Sequence, residues 1–207
     1  MGFDVDVEVA LGGRTIAARF AGEQGVTVLF GRSGAGKTTA LDMVAGLRRP
    51  ARGHVRVGGE TLFDAARRID LPPERRRLGY VFQDVRLFPH RRVRANLLYG
   101  HRLARVEDRW LAPEEAIALL GLDGLLDRWP RTLSGGEQRR VAIGRALLAG
   151  ARALLMDEPL SSLDRARREE VMVAIERVRD ALALPILYVT HDADEAERLA
   201  TRIVAIE

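Results

Sequence analysis

Of the 33 lysines and arginines in this 207-residue chain, a single one is lysine, Lys37. It stands in Gly31-Arg32-Ser33-Gly34-Ala35-Gly36-Lys37-Thr38, which has the spacing G-x-x-x-x-G-K-[ST]. Residues of these types at this spacing bind phosphate. The glycines let the main chain come close to an anion. A compact ammonium on a flexible stem fits between β- and γ-phosphates wrapped by backbone N–H groups, where a broad planar guanidinium does not. Thr38 offers its hydroxyl to Mg²⁺. A helix expected from Thr39 presents its N-terminal amides to the same anion.

Two further clusters carry phosphate chemistry. Leu154-Leu155-Met156-Asp157-Glu158 reads as an apolar strand ending in two carboxylates. Strand alternation separates the two, so they can hold different tasks: Asp157 toward Mg²⁺-bound water, Glu158 toward the attacking water. Phosphoryl transfer needs such positioning and charge stabilisation more than covalent chemistry. Leu133-Ser134-Gly135-Gly136-Glu137-Gln138 is a capping box by its Ser-x-x-Glu spacing. Two glycines in a first helical turn cost stability, which makes sense where something must approach those amides. That something is an anion, and since one phosphate loop already wraps the nucleotide, a second copy of the chain is expected to supply it.

These residues need a scaffold. Val26–Phe30 reads as a buried strand before the loop, and Thr39–Leu47 as a helix with Leu41, Val44, Ala45 and Leu47 on its apolar side. Phe3, Val5, Val7 and Val9 alternate with Asp4, Asp6 and Glu8, a strand period. Arg14–Phe20 pairs with it through Gly12-Gly13. Short strands follow at His54–Val57 and Gly79–Phe82. From Asp84 to about Pro130 the pattern turns to short helices, a helical subdomain. Ser134 then opens a long helix. Strands at Ala153–Met156, Ile186–Val189 and Ile203–Ile206 alternate with helices at Arg165–Ala183 and Asp192–Ala200. Such alternation predicts an α/β fold, a largely parallel sheet with flanking helices, beside an N-terminal antiparallel sheet.

Composition removes other classes. No apolar run reaches the roughly 18 residues that span a bilayer; the best stretch, Val141–Met156, is broken by Arg145 and Arg152. No charged-then-apolar leader opens the chain. Zero cysteines exclude disulfides and thiolate metal sites and fit a cytoplasmic protein. The net charge of +4 is spread among interleaved acids and bases. Only Arg75-Arg76-Arg77 and Arg91-Arg92-Val93-Arg94 cluster, which argues against a nucleic-acid partner.

With its motifs in one order, the sequence resembles the ATP-binding cassette (ABC) family over nearly its whole length. Gly31–Thr38 is similar to its P-loop, Leu154–Glu158 to its Walker B strand, and Leu133–Gln138 to its signature. The resemblance implies further roles. Gln83 matches the Q-loop glutamine that touches Mg²⁺ and reports the γ-phosphate to a transport partner. Ser161-Ser162-Leu163-Asp164 matches the D-loop at the dimer interface. His191 matches the switch histidine on the γ-phosphate. A homodimer is implied, sandwiching ATP between one P-loop and the other copy's Ser134, Gly135 and Gly136. Leu71–Asp84, Arg86–His90, Val93–Leu97 and Leu126–Arg128 look most like the ATPase subunit of molybdate importers.

The likeness implies an Mg²⁺-dependent ATPase that powers uptake of molybdate or a related oxyanion. Its membrane permease would hold it at the cytoplasmic face of the inner membrane, with a periplasmic binding protein acting indirectly. Sulfate, sugar and polyamine importers share many of these residues. Chromosome and repair ATPases of the family insert long coiled coils, and Lys37 to Ser134 holds no sustained heptads. Residues 1–207 are expected to form one ATPase domain with the helical subdomain inserted at about 84–130, without the C-terminal regulatory β domain of molybdate-type subunits. The family's adenine-stacking aromatic has no counterpart between Asp4 and Ala18; Phe3, or a residue of the partner, is the remaining candidate platform.

Overall fold

The structure, a computed structural model, describes residues 2–206. Met1 and Glu207, the ends of the expected domain, lie outside the described residues. Ten strands and seven α-helices follow the order β1 (Phe3–Leu11), β2 (Arg14–Ala21), β3 (Val26–Phe30), α1 (Lys37–Ala45), β4 (Arg52–Val57), β5 (Glu60–Asp64), β6 (Ile69–Asp70), α2 (Pro73–Arg76), β7 (Leu78–Val81), α3 (Val93–Leu103), α4 (Pro113–Leu120), α5 (Gly135–Leu148), β8 (Ala153–Asp157), α6 (Arg165–Ala181), β9 (Ile186–Thr190), α7 (Ala193–Leu199) and β10 (Arg202–Ala205).

The strands form two sheets. One is antiparallel in the order β2-β1-β4-β5-β6; the other is parallel in the order β10-β3-β9-β8-β7. The expected α/β class, parallel sheet plus N-terminal antiparallel sheet, is the observed one.

The alternation in β1 explains the first sheet. Phe3, Val5 and Val7 point inward. On the other face Asp4 pairs with His54 and Arg56, Asp6 with Arg19, and Glu8 with Arg52. The central strands of the parallel sheet, β3, β8 and β9, are buried on both faces, as parallel strands are. Their alternate residues feed two cores. Leu155, Leu187 and Val189 face α1 and the antiparallel sheet. Leu154, Met156, Ile186 and Tyr188 face α5, α6 and the shorter helices. α1 therefore lies between the sheets, and the loop before it opens at the end of β3.

Two local expectations are corrected. The helix after the phosphate loop begins at Lys37 and stops at Ala45, because Gly46 takes a left-handed conformation at φ 80°. Leu47 lies beyond it and is 52% exposed, not part of the apolar face. Within the Arg75-Arg76-Arg77 cluster, Arg76 is fully buried. Its Nη1 donates to the carbonyls of Met43 and Val44 (both 2.9 Å), its Nε to Leu71 O (2.8 Å), and its Nη2 pairs with Asp70 (3.1 Å). A guanidinium can satisfy the orphan carbonyls that end a helix, so Arg76 caps α1.

Candidate functional site: a phosphate cleft at the end of β3 and β8

Ser33, Gly34, Ala35, Gly36, Lys37, Thr38 and Thr39 line a cleft of about 550 Å³ with Gln83 and Glu158. An adjoining cleft is lined by Gly31, Arg32, Ser33, Gly34, Ala35 and His191. The geometry starts from the loop. Gly36 sits at φ 96°, and a Cβ there would meet Ile16 Cγ2 of β2 at 2.7 Å. Only glycine suits both that conformation and that closeness. The turn sends the chain into α1 with Lys37 4% exposed. Its ammonium donates to Gly31 O (2.8 Å) and Arg32 O (2.9 Å), curling the loop around its own charge.

Two carboxylates face this cation. The Thr38 hydroxyl donates to Asp157 Oδ1 at 3.0 Å. Burial pushes the Asp157 carboxyl up; the Thr38 bond works against that, and the charges of Glu158 and Asp42 add to it. A buried group of carboxylates with only Lys37 nearby favours another positive charge. A hydroxyl and a carboxylate are the hard oxygen donors that suit Mg²⁺, which otherwise keeps waters and phosphate oxygens. Among the described residues no group of three His, Cys, Asp or Glu could hold a metal alone, which matches that sparse donor set.

Glu158 Oε1 lies 3.8 Å from Lys37 Nζ and 3.2 Å from His191 Nδ1. Lys37, Glu158 and His191, distant in sequence, thus meet at one point. The separation of Asp157 from Glu158 does not come from strand alternation as expected. β8 ends at Asp157, and Glu158 leaves it with φ 42°. Such a conformation costs a non-glycine residue about 1–3 kcal/mol and persists only where surroundings enforce it. Here Glu158 N donates to Val189 O (3.0 Å), and Ser161 N and Oγ donate to Glu158 O (3.1 and 2.8 Å).

The signature residues are elsewhere. Ser134, Gly135, Gly136 and Asp164 line neither cleft. The capping box exists: Ser134 Oγ accepts from Glu137 N (3.2 Å), and Glu137 Oε2 accepts from Ser134 N (2.6 Å). A Cβ on Gly135 would meet Leu163 Cδ2 at 2.9 Å, so its own chain already uses part of the room that glycine leaves. The Asp164 carboxylate caps α6, accepting from Arg167 N (3.0 Å).

Sequence reasoning missed one wall. Leu11, Gly12, Arg14, Thr15 and Ile16, from the β1–β2 hairpin, border the first cleft beside the loop. The Gly12-Gly13 turn was visible, but its nearness to Gly36 is tertiary. Phe3 is no base platform: it is 1% exposed and packed in the core between the sheets.

Comparison with known proteins shows the family. The ABC transporter family profile matches residues 21–161. The molybdenum import ATP-binding protein ModC of Brucella melitensis biotype 1 is 55% identical over 99% of this chain and 57% of its own length. That of Rhizobium meliloti is 50% identical over 100% and 58%. The chain thus spans little more than half the length of these curated relatives. A dimeric post-hydrolysis structure of the ATP-binding cassette MJ0796 bound to ADP and Pi superposes with TM-score 0.75 at 25% identity, over 99% of this chain and 92% of that one. With the profile covering most of the chain, this protein belongs to the ABC transporter family.

Proposed function

We propose that the chain is the ATP-hydrolysing domain of an ABC importer for molybdate or a related oxyanion. The observation that carries the activity is the meeting of Lys37, Glu158 and His191 at the mouth of the phosphate loop. Identity with molybdenum import ATP-binding proteins over the whole chain supports the cargo.

In this reading the loop amides from Gly31 to Thr39 and the Lys37 ammonium bind the nucleotide phosphates. Lys37 exchanges its bonds to Gly31 O and Arg32 O for phosphate oxygens. Thr38, Gln83 and Asp157 would hold Mg²⁺, which would supply charge neutralisation to the bound phosphates. Glu158 orients and polarises the attacking water. His191, within reach of Glu158, contacts the γ-phosphate. Ser134, Gly135, Gly136 and Asp164 complete the site of a second copy, which accounts for their distance from the cleft of their own chain. An isologous two-fold pair gives two such sites.

Residues 1–207 act as one ATPase domain in which the helical block at about 84–130 meets the permease. Leu87 packs against the helical core. Phe88 instead stacks obliquely on Tyr99 (4.7 Å), with the Arg91 and Arg145 guanidiniums over its ring at 5.9 and 5.1 Å. That aromatic and cationic patch suits a cytoplasmic helix of the permease. Among the described residues no helix is long and apolar enough to cross a membrane, in keeping with a peripheral place at the cytoplasmic face. A periplasmic binding protein delivers the cargo, and nucleic acid has no part.

Molybdate uptake in cells lacking their own importer ATPase tests the reading. Supply of this chain with its permease should restore uptake, and the Glu158→Gln variant should not. Restoration of sulfate or sugar uptake instead would reject the cargo.

A further inference from the structure

Arg139 lies in the second turn of α5 and is 5% exposed. Its Nη1 donates to the carbonyls of Phe82 (3.0 Å) and Gln83, and its Nη2 to that of Ser161 (3.4 Å). None of these partners is a carboxylate, and Asp84 acts on the guanidinium only through space. Burial weakens its hold on the proton. Taking an ion out of water without a paired counter-charge is costly. A residue of Arg139's volume could pack there against apolar neighbours without that cost. What arginine supplies is a rigid fork of N–H donors able to hold several acceptors at once.

Those acceptors belong to two different loops, and both loops bear on the cleft. Gln83 lines it beside Glu158. Ser161, through its N–H and hydroxyl, holds the carbonyl of Glu158 in the turn where φ is 42°. One guanidinium therefore joins the helix that begins at Ser134-Gly135-Gly136 to the backbones that aim Gln83 and Glu158. We propose that Arg139 is a positioning residue for ATP hydrolysis, clamping the loop at Phe82–Gln83 and the loop at Ser161 to α5 so that they move as one body. The inference rests on the ATPase reading above. A shift of α5, when its N-terminus engages a second copy's nucleotide, reaches the chain's own Gln83 and Glu158 through this side chain. The hydrogen bonds of Arg139 reach neither Lys37 nor the loop amides, so the phosphate contacts of the loop should survive its loss.

Steady-state hydrolysis and amide hydrogen exchange on the 207-residue chain test the clamp. Arg139→Ala should lower kcat by about ten-fold or more while KM for ATP stays within about three-fold. Amides of 82–86 and 159–164 should exchange faster together, while those of α1 and β3 keep their protection. Arg139→Gln keeps two N–H donors with a shorter reach and should recover part of kcat. Arg139→Lys keeps the charge without the fork and should do no better than Gln. Should the alanine variant not fold, the Gln and Lys variants carry the test. Parental kcat in these variants, loosening of one loop only, an even loss of protection across the molecule, or full rescue by Lys each overturns the clamp. Turnover in the parent that ignores Glu158→Gln would instead sink the ATPase reading, and the exchange data would still decide the clamp.

Discussion

The two ends of the cleft are built differently. At the phosphate end, polar groups are organised by one another. Lys37 is held by two carbonyls, Thr38 by Asp157, and Glu158 stands between Lys37 and His191. At the base end the hairpin offers Leu11, 39% exposed, with Gly12, Arg14, Thr15 and Ile16 and no aromatic ring. Phosphate recognition relies on charge and on main-chain N–H groups, so it demands fixed geometry. A base needs a flat partner and a few edge contacts. The difference predicts that affinity comes from the phosphates and that choice among purines is weak.

Substitutions at each end can break or sharpen this contrast. The largest effect is expected from Glu158→Gln, which keeps size and removes the charge that polarises water. Turnover should fall by roughly 10²–10⁴, the range for a lost general base or water-positioning group, with ATP affinity kept; near-parental phosphate release in a coupled assay would remove Glu158 from the chemistry. Next, Lys37→Ala deletes a buried cation. Breaking a buried charged contact costs about 3–5 kcal/mol, or roughly two to four decades of affinity. Calorimetry should show ATP and inorganic tripolyphosphate losing affinity alike, and a loss confined to ATP would mean that the phosphate end is not where affinity arises.

At the base end, Leu11→Tyr adds a ring to the hairpin. Stacking contributes about 1–3 kcal/mol per base, so ATP should bind roughly ten-fold tighter. Tripolyphosphate, which has no base, should bind as before; an equal gain for both ligands would show that the tyrosine acts some other way. The smallest difference concerns the unaltered chain, where GTP should compete with ATP within about ten-fold. A preference for ATP beyond roughly a hundred-fold, about 2.7 kcal/mol, would reveal a base platform that the hairpin does not display.

Much of the site was legible because its signals are local. The phosphate loop, its flanking strand and helix, and the capping box at Ser134 are spelled by residues within a few positions of one another. β1 announced itself by alternation, since one face of an antiparallel sheet meets solvent. Boundaries were less legible where a single backbone angle decided them. Gly46 ends α1 before Leu47, and the Thr39–Leu47 helix expected from apolar spacing runs instead over Lys37–Ala45.

Arginine roles were hidden altogether. In a chain whose cations are almost all arginine, nothing nearby distinguishes Arg76, buried over the end of α1, from Arg75, which is exposed. Arg139 sits beside Arg140 in the same helix, and the partners that define it lie 57, 56 and 22 residues away.

The amino-acid sequence alone determined which groups are suited to phosphate chemistry, because ammonium, hydroxyl, carboxylate and bare amide have properties that no fold alters. Tertiary structure decided the rest. It put Glu158 against His191, sent Phe3 into the core rather than to the nucleotide, laid a hairpin without a ring beside the loop, and left Ser134–Gly136 away from its own chain's cleft. Each of these depends on how the two sheets pack across α1 and how the helices pack on the far face of the parallel sheet. Contacts between residues so distant along the chain are selected by the joint packing of all these elements, which short-range spacing does not encode.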